Sequence, residues 1–203
     1  MGRAFLFFLG LLAHLLTAAS AAPDSGGRPA NFLPESTIPV RDPILGKEKL
    51  IHLHFFWHNI VSGSNPTAVT VARAAATDSS ASRFGLVNVI DDPLTVGPNR
   101  SSRVVGRAQG LLVSADQEVL GFLMVMNFVL ADGEYNGSTL AVMGRSPPLI
   151  VREMPIIGGS GVFRFARGYV NARTHSLDRE SGDALVEYHC YAAVLDFPAL
   201  DNN

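Results

Sequence analysis

Between residues 50 and 195, short runs rich in Val, Ile, Leu and Phe alternate with clusters of Gly, Pro, Asn, Asp and Ser, and no run carries a helical period. The pattern predicts an all-β domain with strands near residues 50–61, 67–73, 84–91, 103–114, 119–131, 137–143, 149–157, 162–174 and 184–195. Strands in this number can close a barrel. Ala131-Asp-Gly-Glu-Tyr-Asn-Gly-Ser138 predicts a hairpin connection, and Gly158-Gly159-Ser160-Gly161 a second tight reversal. Successive hairpins of this kind favour an up-and-down order.

The period of two assigns faces. In the first strand Ile51, Leu53, Phe55, Trp57 and Val61 share one side with a single polar residue, Asn59. In the strand at 149–157, Ile150, Met154 and Ile156 share theirs with one charge, Arg152. A buried polar or charged group must be paired by the protein or serve a ligand. Either residue alone is accounted for by nearby carbonyls or a local carboxylate; two of them on different strands point to a ligand cavity. Residues 119–130 are apolar on both faces, broken only by Gly121 and Asn127. A barrel strand facing water should show a polar outer row, so this row is expected to be covered in a homo-oligomer.

The N-terminus adds a compartment. Arg3, an apolar run over residues 5–16 broken only by His14, and Ala19-Ser20-Ala21 read as a secretory signal over residues 1–21. Residues 22–49, with five prolines, read as an extended arm, and residues 50–197 as one domain. No later segment is apolar for long enough to span a bilayer, so the processed chain is expected to be soluble, with no membrane partner. Asn99-Arg-Ser101 and Asn136-Gly-Ser138 are glycosylation sequons in turn-like contexts, which agrees with export to the extracellular space. Charged residues are 17% of the chain and the net charge is −2, which excludes the basic surface that nucleic acid requires. Cys190 is the only cysteine, so no internal disulfide forms.

Recognised chemical motifs are sparse. His52, His54 and His58 alternate onto one face, but no carboxylate shares their strand, and they are read as locally hydrogen-bonded rather than as metal ligands. The sequence carries no G-x-S-x-G elbow, phosphate loop, H-E-x-x-H or dinucleotide fingerprint, and no cofactor or metal is expected. Asp91 and Asp92 are adjacent, so only one of them can face a cavity while the other caps the turn into Pro93-Leu94-Thr95.

A series of short segments then gains meaning from its order. Leu53-His-Phe-Phe-Trp-His58, Asp91-Asp-Pro-Leu-Thr95, Gly106-Arg-Ala-Gln-Gly110, Phe128, Tyr135-Asn-Gly-Ser-Thr139, Arg152-Glu-Met-Pro155, Gly158-Gly-Ser-Gly161 and Phe163-Arg-Phe-Ala-Arg-Gly168 together resemble the plant dirigent proteins over residues 50–195. Arg152-Glu-Met-Pro155 is similar to the branch that includes pterocarpan-synthase-like members. The resemblance implies an eight-stranded antiparallel barrel with a central cavity, a trimer, secretion to the cell wall, and phenolic ligands derived from monolignols. It also implies that a separate laccase or peroxidase makes phenoxy radicals whose coupling the barrel steers, without an oxidative centre of its own. Some members assist closure of a quinone methide with acidic and phenolic groups and an arginine. In this chain Asn59 stands for the acid, Leu112 for the tyrosine and Arg145 for an aspartate, and of that group only Arg152 is retained. The expected ligand-binding set is Phe55, Trp57, Asn59, Asp91, Leu112, Arg145, Arg152 and Phe165, with Arg152 and Asn59 nearest the chemistry. Radical guidance is the expected function. Quinone-methide cyclisation or dehydration, and a wall scaffold or defence binder, are the alternatives.

Overall fold

The computed structural model describes residues 48–147 and 151–195. They form nine antiparallel strands: β1 (Glu48–Asn59), β2 (Ala68–Ala72), β3 (Val87–Thr95), β4 (Val104–Ser114), β5 (Phe122–Leu130), β6 (Thr139–Ser146), β7 (Val151–Ser160), β8 (Arg167–Leu177) and β9 (Ala184–Leu195). Pairing runs in the order β1-β9-β8-β7-β6-β5-β4-β3-β2, and β1 also pairs with β3. That second pairing, Phe56 with Thr95 and Trp57 with Leu94, closes an eight-stranded ring. The short β2 lies on the first half of the same β3 edge, opposite residues 87–90. Closure removes most of the free sheet edge that an open meander would expose.

Alternation sets what fills the ring. In β9 the inward row is Val186, Tyr188, Cys190, Ala192 and Val194, all buried, while the intervening residues reach the surface. β1 contributes Ile51, Phe55, Trp57 and Asn59 to the interior. Its outer residues Phe56 and His58 are buried as well, Phe56 edge-on to His54 and His175, and His58 with Nε2 2.7 Å from Thr95 Oγ1. In β4 the segment Gly106-Arg-Ala-Gln-Gly110 is a packing device. A Cβ at Gly110 would lie 2.0 Å from the Val125 carbonyl oxygen, and one at Gly106 2.4 Å from that of Val129, so only glycine lets β4 and β5 approach this closely.

Several boundaries differ from expectation. Glu48 and Lys49, assigned to the arm, begin β1 opposite Leu195 and Val194. Val61 lies outside β1 and is exposed. β3 continues past Asp91 to Thr95, because Pro93 sits where β3 passes from pairing with β2 to pairing with β1, a place where a missing N–H costs little. The reversal after β7 is made by a short 3-10 turn at Gly161–Phe163 and by Phe165, which adopts φ +60 and cannot continue a strand. Residues 162–166 therefore form a turn rather than the start of β8. The signal-like segment at residues 1–21, the rest of the arm and Ile150 lie outside the described residues.

Candidate functional site

Three neighbouring segments bring polar groups to one side of a largely apolar interior. β1 supplies Trp57 and Asn59, β3 supplies Asp92, and the loop before β2 supplies Thr67. Asp92 is fully buried. Asn59 Nδ2 donates to its Oδ2 at 2.8 Å, and the Thr67 hydroxyl donates to Oδ1. The Trp57 indole N–H, which has no hydrogen-bond partner among the described residues, lies near enough to favour the ionised carboxyl. Burial outweighs these donors and pushes the Asp92 carboxyl up to about 6.

Further polar groups come from β7, β8 and β9. Arg152 is buried, and its Nη1 donates to Thr174 Oγ1 at 2.7 Å. Burial lowers its pKa, yet a guanidinium keeps its proton at any working pH. Tyr188 is also buried. Burial raises its phenol above the usual range, the Arg152 charge works against that rise, and the Asp92 charge adds to it, so the three groups share one electrostatic environment. Aromatic rings pack around them. Phe128 meets Phe55 edge-on with centroids 5.0 Å apart and Tyr188 at 5.4 Å, and Trp57 meets Tyr188 at 6.1 Å. Leu112, Met124, Met126 and Met154 complete this wall.

Of the residues expected from the sequence, Phe55, Trp57, Asn59, Leu112 and Arg152 are brought together inside the ring. Asp91, Arg145 and Phe165 are not. Asp91 points outward and accepts from Arg107 Nε at 2.5 Å and Gln109 Nε2 at 3.0 Å, the arginine bond holding its carboxyl below the usual range. The inward-facing member of the pair is Asp92. Arg145 follows the alternation of β6 to the outer surface, where Nη2 meets Asp116 Oδ2 at 2.7 Å. Phe165 is 69% exposed in the turn before β8. Sequence reading missed Tyr188, although the alternating row Val186, Tyr188, Cys190, Ala192, Val194 carries the signal for it.

This arrangement offers a cluster of aromatic rings, a carboxyl whose pKa burial pushes up to about 6, and a cation. Such groups suit proton transfer to or from a phenolic ligand. The model of the dirigent-like protein family matches residues 50–193. The chain belongs to the dirigent family. It is 49% identical over 189 residues to dirigent protein 21 of Arabidopsis thaliana, covering 93% of this chain and 98% of that one. Pterocarpan synthase 1 of Glycine max is 48% identical over 147 residues, which is 71% of this dirigent chain and 79% of that protein. Among solved structures, the pterocarpan synthase dirigent protein GePTS1 matches with a TM-score of 0.71 at 45% identity, covering 76% of this chain and 90% of that one.

Proposed function

We propose that this dirigent barrel binds a phenol bearing a benzylic hydroxyl, or the quinone methide formed from it, and closes a ring on it by proton transfer. The observation that carries this reading is Asp92, a buried, protonatable carboxyl joined to Asn59 within the aromatic cluster. Asn59 cannot donate a carboxyl proton, and its presence favoured radical guidance at the level of sequence; Asp92 supplies the missing acid from the neighbouring strand. The likeness to pterocarpan synthases supports the same choice. Asp92 protonates the departing benzylic oxygen, the C–O bond breaks to release water, and the phenolic O–H gives up its proton, so that Asp92 ends as it began. A second phenolic oxygen of the substrate then adds to the benzylic carbon while the ring oxygen regains a proton. Arg152 holds the ring oxygen as its charge grows.

The test is a conversion assay with such a precursor and no oxidase, followed by chiral separation of the product. Oxidase-free ring closure with enantiomeric excess is the expected result. The second reading is guidance of phenoxy-radical coupling, favoured by 49% identity to a protein named only as dirigent. It would show as no conversion of the precursor, with selective coupling of coniferyl alcohol once a laccase or peroxidase is added.

The chain acts outside the cell, glycosylated and as a homotrimer. Asn99 and Asn136 are exposed in turns, which supports glycan attachment at both. On the outer surface Val89 pairs with Leu111, Leu111 with Val125 and Val125 with Met143, so four adjacent strands present an apolar row to solvent in the single chain. Light scattering of the mature protein is expected to give three times the chain mass, and a monodisperse monomer at micromolar concentration would refute the assembly.

A further inference from the structure

The outer face of β1 and β9 carries a cluster that the interior chemistry does not use. His52 and His54 point outward on either side of Leu53, and register places His189 opposite His54 and Glu187 opposite Phe56. A carboxylate and a third imidazole thus join the histidines from a strand more than a hundred residues later, which is why no spacing within β1 announces them. His54 Nε2 lies 2.8 Å from Glu187 Oε1, and His189 Nε2 lies 3.8 Å from the same oxygen. The ligand atoms of His54, Glu187 and His189 all fall within 4.8 Å of one another.

We propose that His54, Glu187 and His189 bind one divalent transition-metal ion of the zinc or copper type, with His52 as the residue that orients His189. A tetrahedral ion with bonds of about 2.0–2.1 Å holds its ligand atoms roughly 3.3 Å apart, a separation that falls between the two distances present. The set of two imidazoles and one carboxylate leaves a fourth position open to solvent, as three-residue zinc sites do. Nitrogen-rich sites of this type select zinc or copper over magnesium or calcium.

His52 supplies the support such a site needs. Its Nε2 is 3.0 Å from His189 Nδ1, so a proton on Nδ1 of His189 leaves the Nε2 lone pair facing Glu187 and the ion. His189 stacks on His54 with centroids 4.4 Å apart and planes 11° from parallel, so taking up one ion turns one of these two rings until both Nε2 lone pairs converge, while His52 stacks on Tyr191 at 4.6 Å. Arg173, opposite Glu187 on β8, is the charge with which a metal would share the carboxylate. The site lies on the opposite face of β1 from Phe55, so it clips β1 to β9 from outside and is separate from the Asp92 cluster.

The experiment is calorimetric titration of the full mature protein, stripped with a chelator, against ZnCl2, CuCl2, MgCl2 and CaCl2. One equivalent of zinc or copper per chain is expected, and no uptake of magnesium or calcium. His54→Ala and His189→Ala should each weaken zinc binding at least about tenfold, and His52→Ala by about tenfold through lost orientation, with circular dichroism establishing that each variant is folded. No zinc or copper uptake by the wild type, or unchanged affinity in the folded His54→Ala/His189→Ala double variant, would overturn the site.

Discussion

Asp92→Asn is expected to remove oxidase-free ring closure, lowering kcat/KM roughly a hundred- to ten-thousand-fold, which is the span typical of a lost general acid. The fold should survive, because an amide matches the shape of the neutral carboxyl and can still meet Asn59 and Thr67. The pH profile provides an independent check. If the protonated carboxyl does the work, kcat/KM falls as pH rises past about 6, the value to which burial pushes Asp92. Stability follows the same group. An unfolded carboxyl titrates near 3.8 and the folded one near 6, so between these values the folded state binds the extra proton. Stability is therefore greatest below this window, declines as pH rises through it, and is level above it, with a total change of about 3 kcal/mol. Asp91, Asp183 and Glu187, whose pKa values are lowered, contribute equally to wild type and variant. The difference between the two thermal melts thus isolates Asp92, and Asp92→Asn should flatten it. A variant that keeps full activity removes Asp92 from the mechanism.

The fold was largely legible because its signals are local. Alternation in β1, β7 and β9 and the turn residues between strands place the inward rows of the ring, and Asn59 and Arg152 stand out as polar exceptions in those rows. What could not be read was where a strand ends. The apolar run before Pro93 suggests a strand that stops at Asp91, whereas the strand continues through the proline and turns Asp92 inward. Arg145 and Phe165 were assigned by resemblance to a family pattern, and local geometry overrides it: alternation in β6 turns Arg145 outward, and the positive φ at residue 165 makes a turn. The histidine cluster was hidden for another reason. Half of it lies on each of two strands that are neighbours only because β1 pairs with β9, a long-range pairing that no local window contains.

Arg152→Leu is expected to leave a folded barrel that converts its precursor about a hundred- to a thousandfold more slowly and with no enantiomeric excess. A leucine fills an apolar site without importing a new polar group, and Met154 and Ile156 on the same inward row already set an apolar surrounding. The Thr174 hydroxyl loses one donor, a cost of about 1 kcal/mol for that bond. The guanidinium differs from that hydroxyl bond in what it offers a ligand: a full positive charge in a low-dielectric interior, which stabilises the ring oxygen as negative charge grows on it during attack on the quinone methide. Its contribution should fall on the transition state, so kcat should drop more than KM rises. Arg152→Lys separates charge from shape. Lysine restores the cation but not the planar fork, and should recover rate more than selectivity. If Arg152 instead holds the barrel together, Arg152→Leu will lose roughly 3–5 kcal/mol of stability and Arg152→Lys will lose activity only in proportion to the unfolded fraction. Thermal melts beside the kinetics decide between these, since a transition-state role moves kcat in a fully folded protein and a structural role does not.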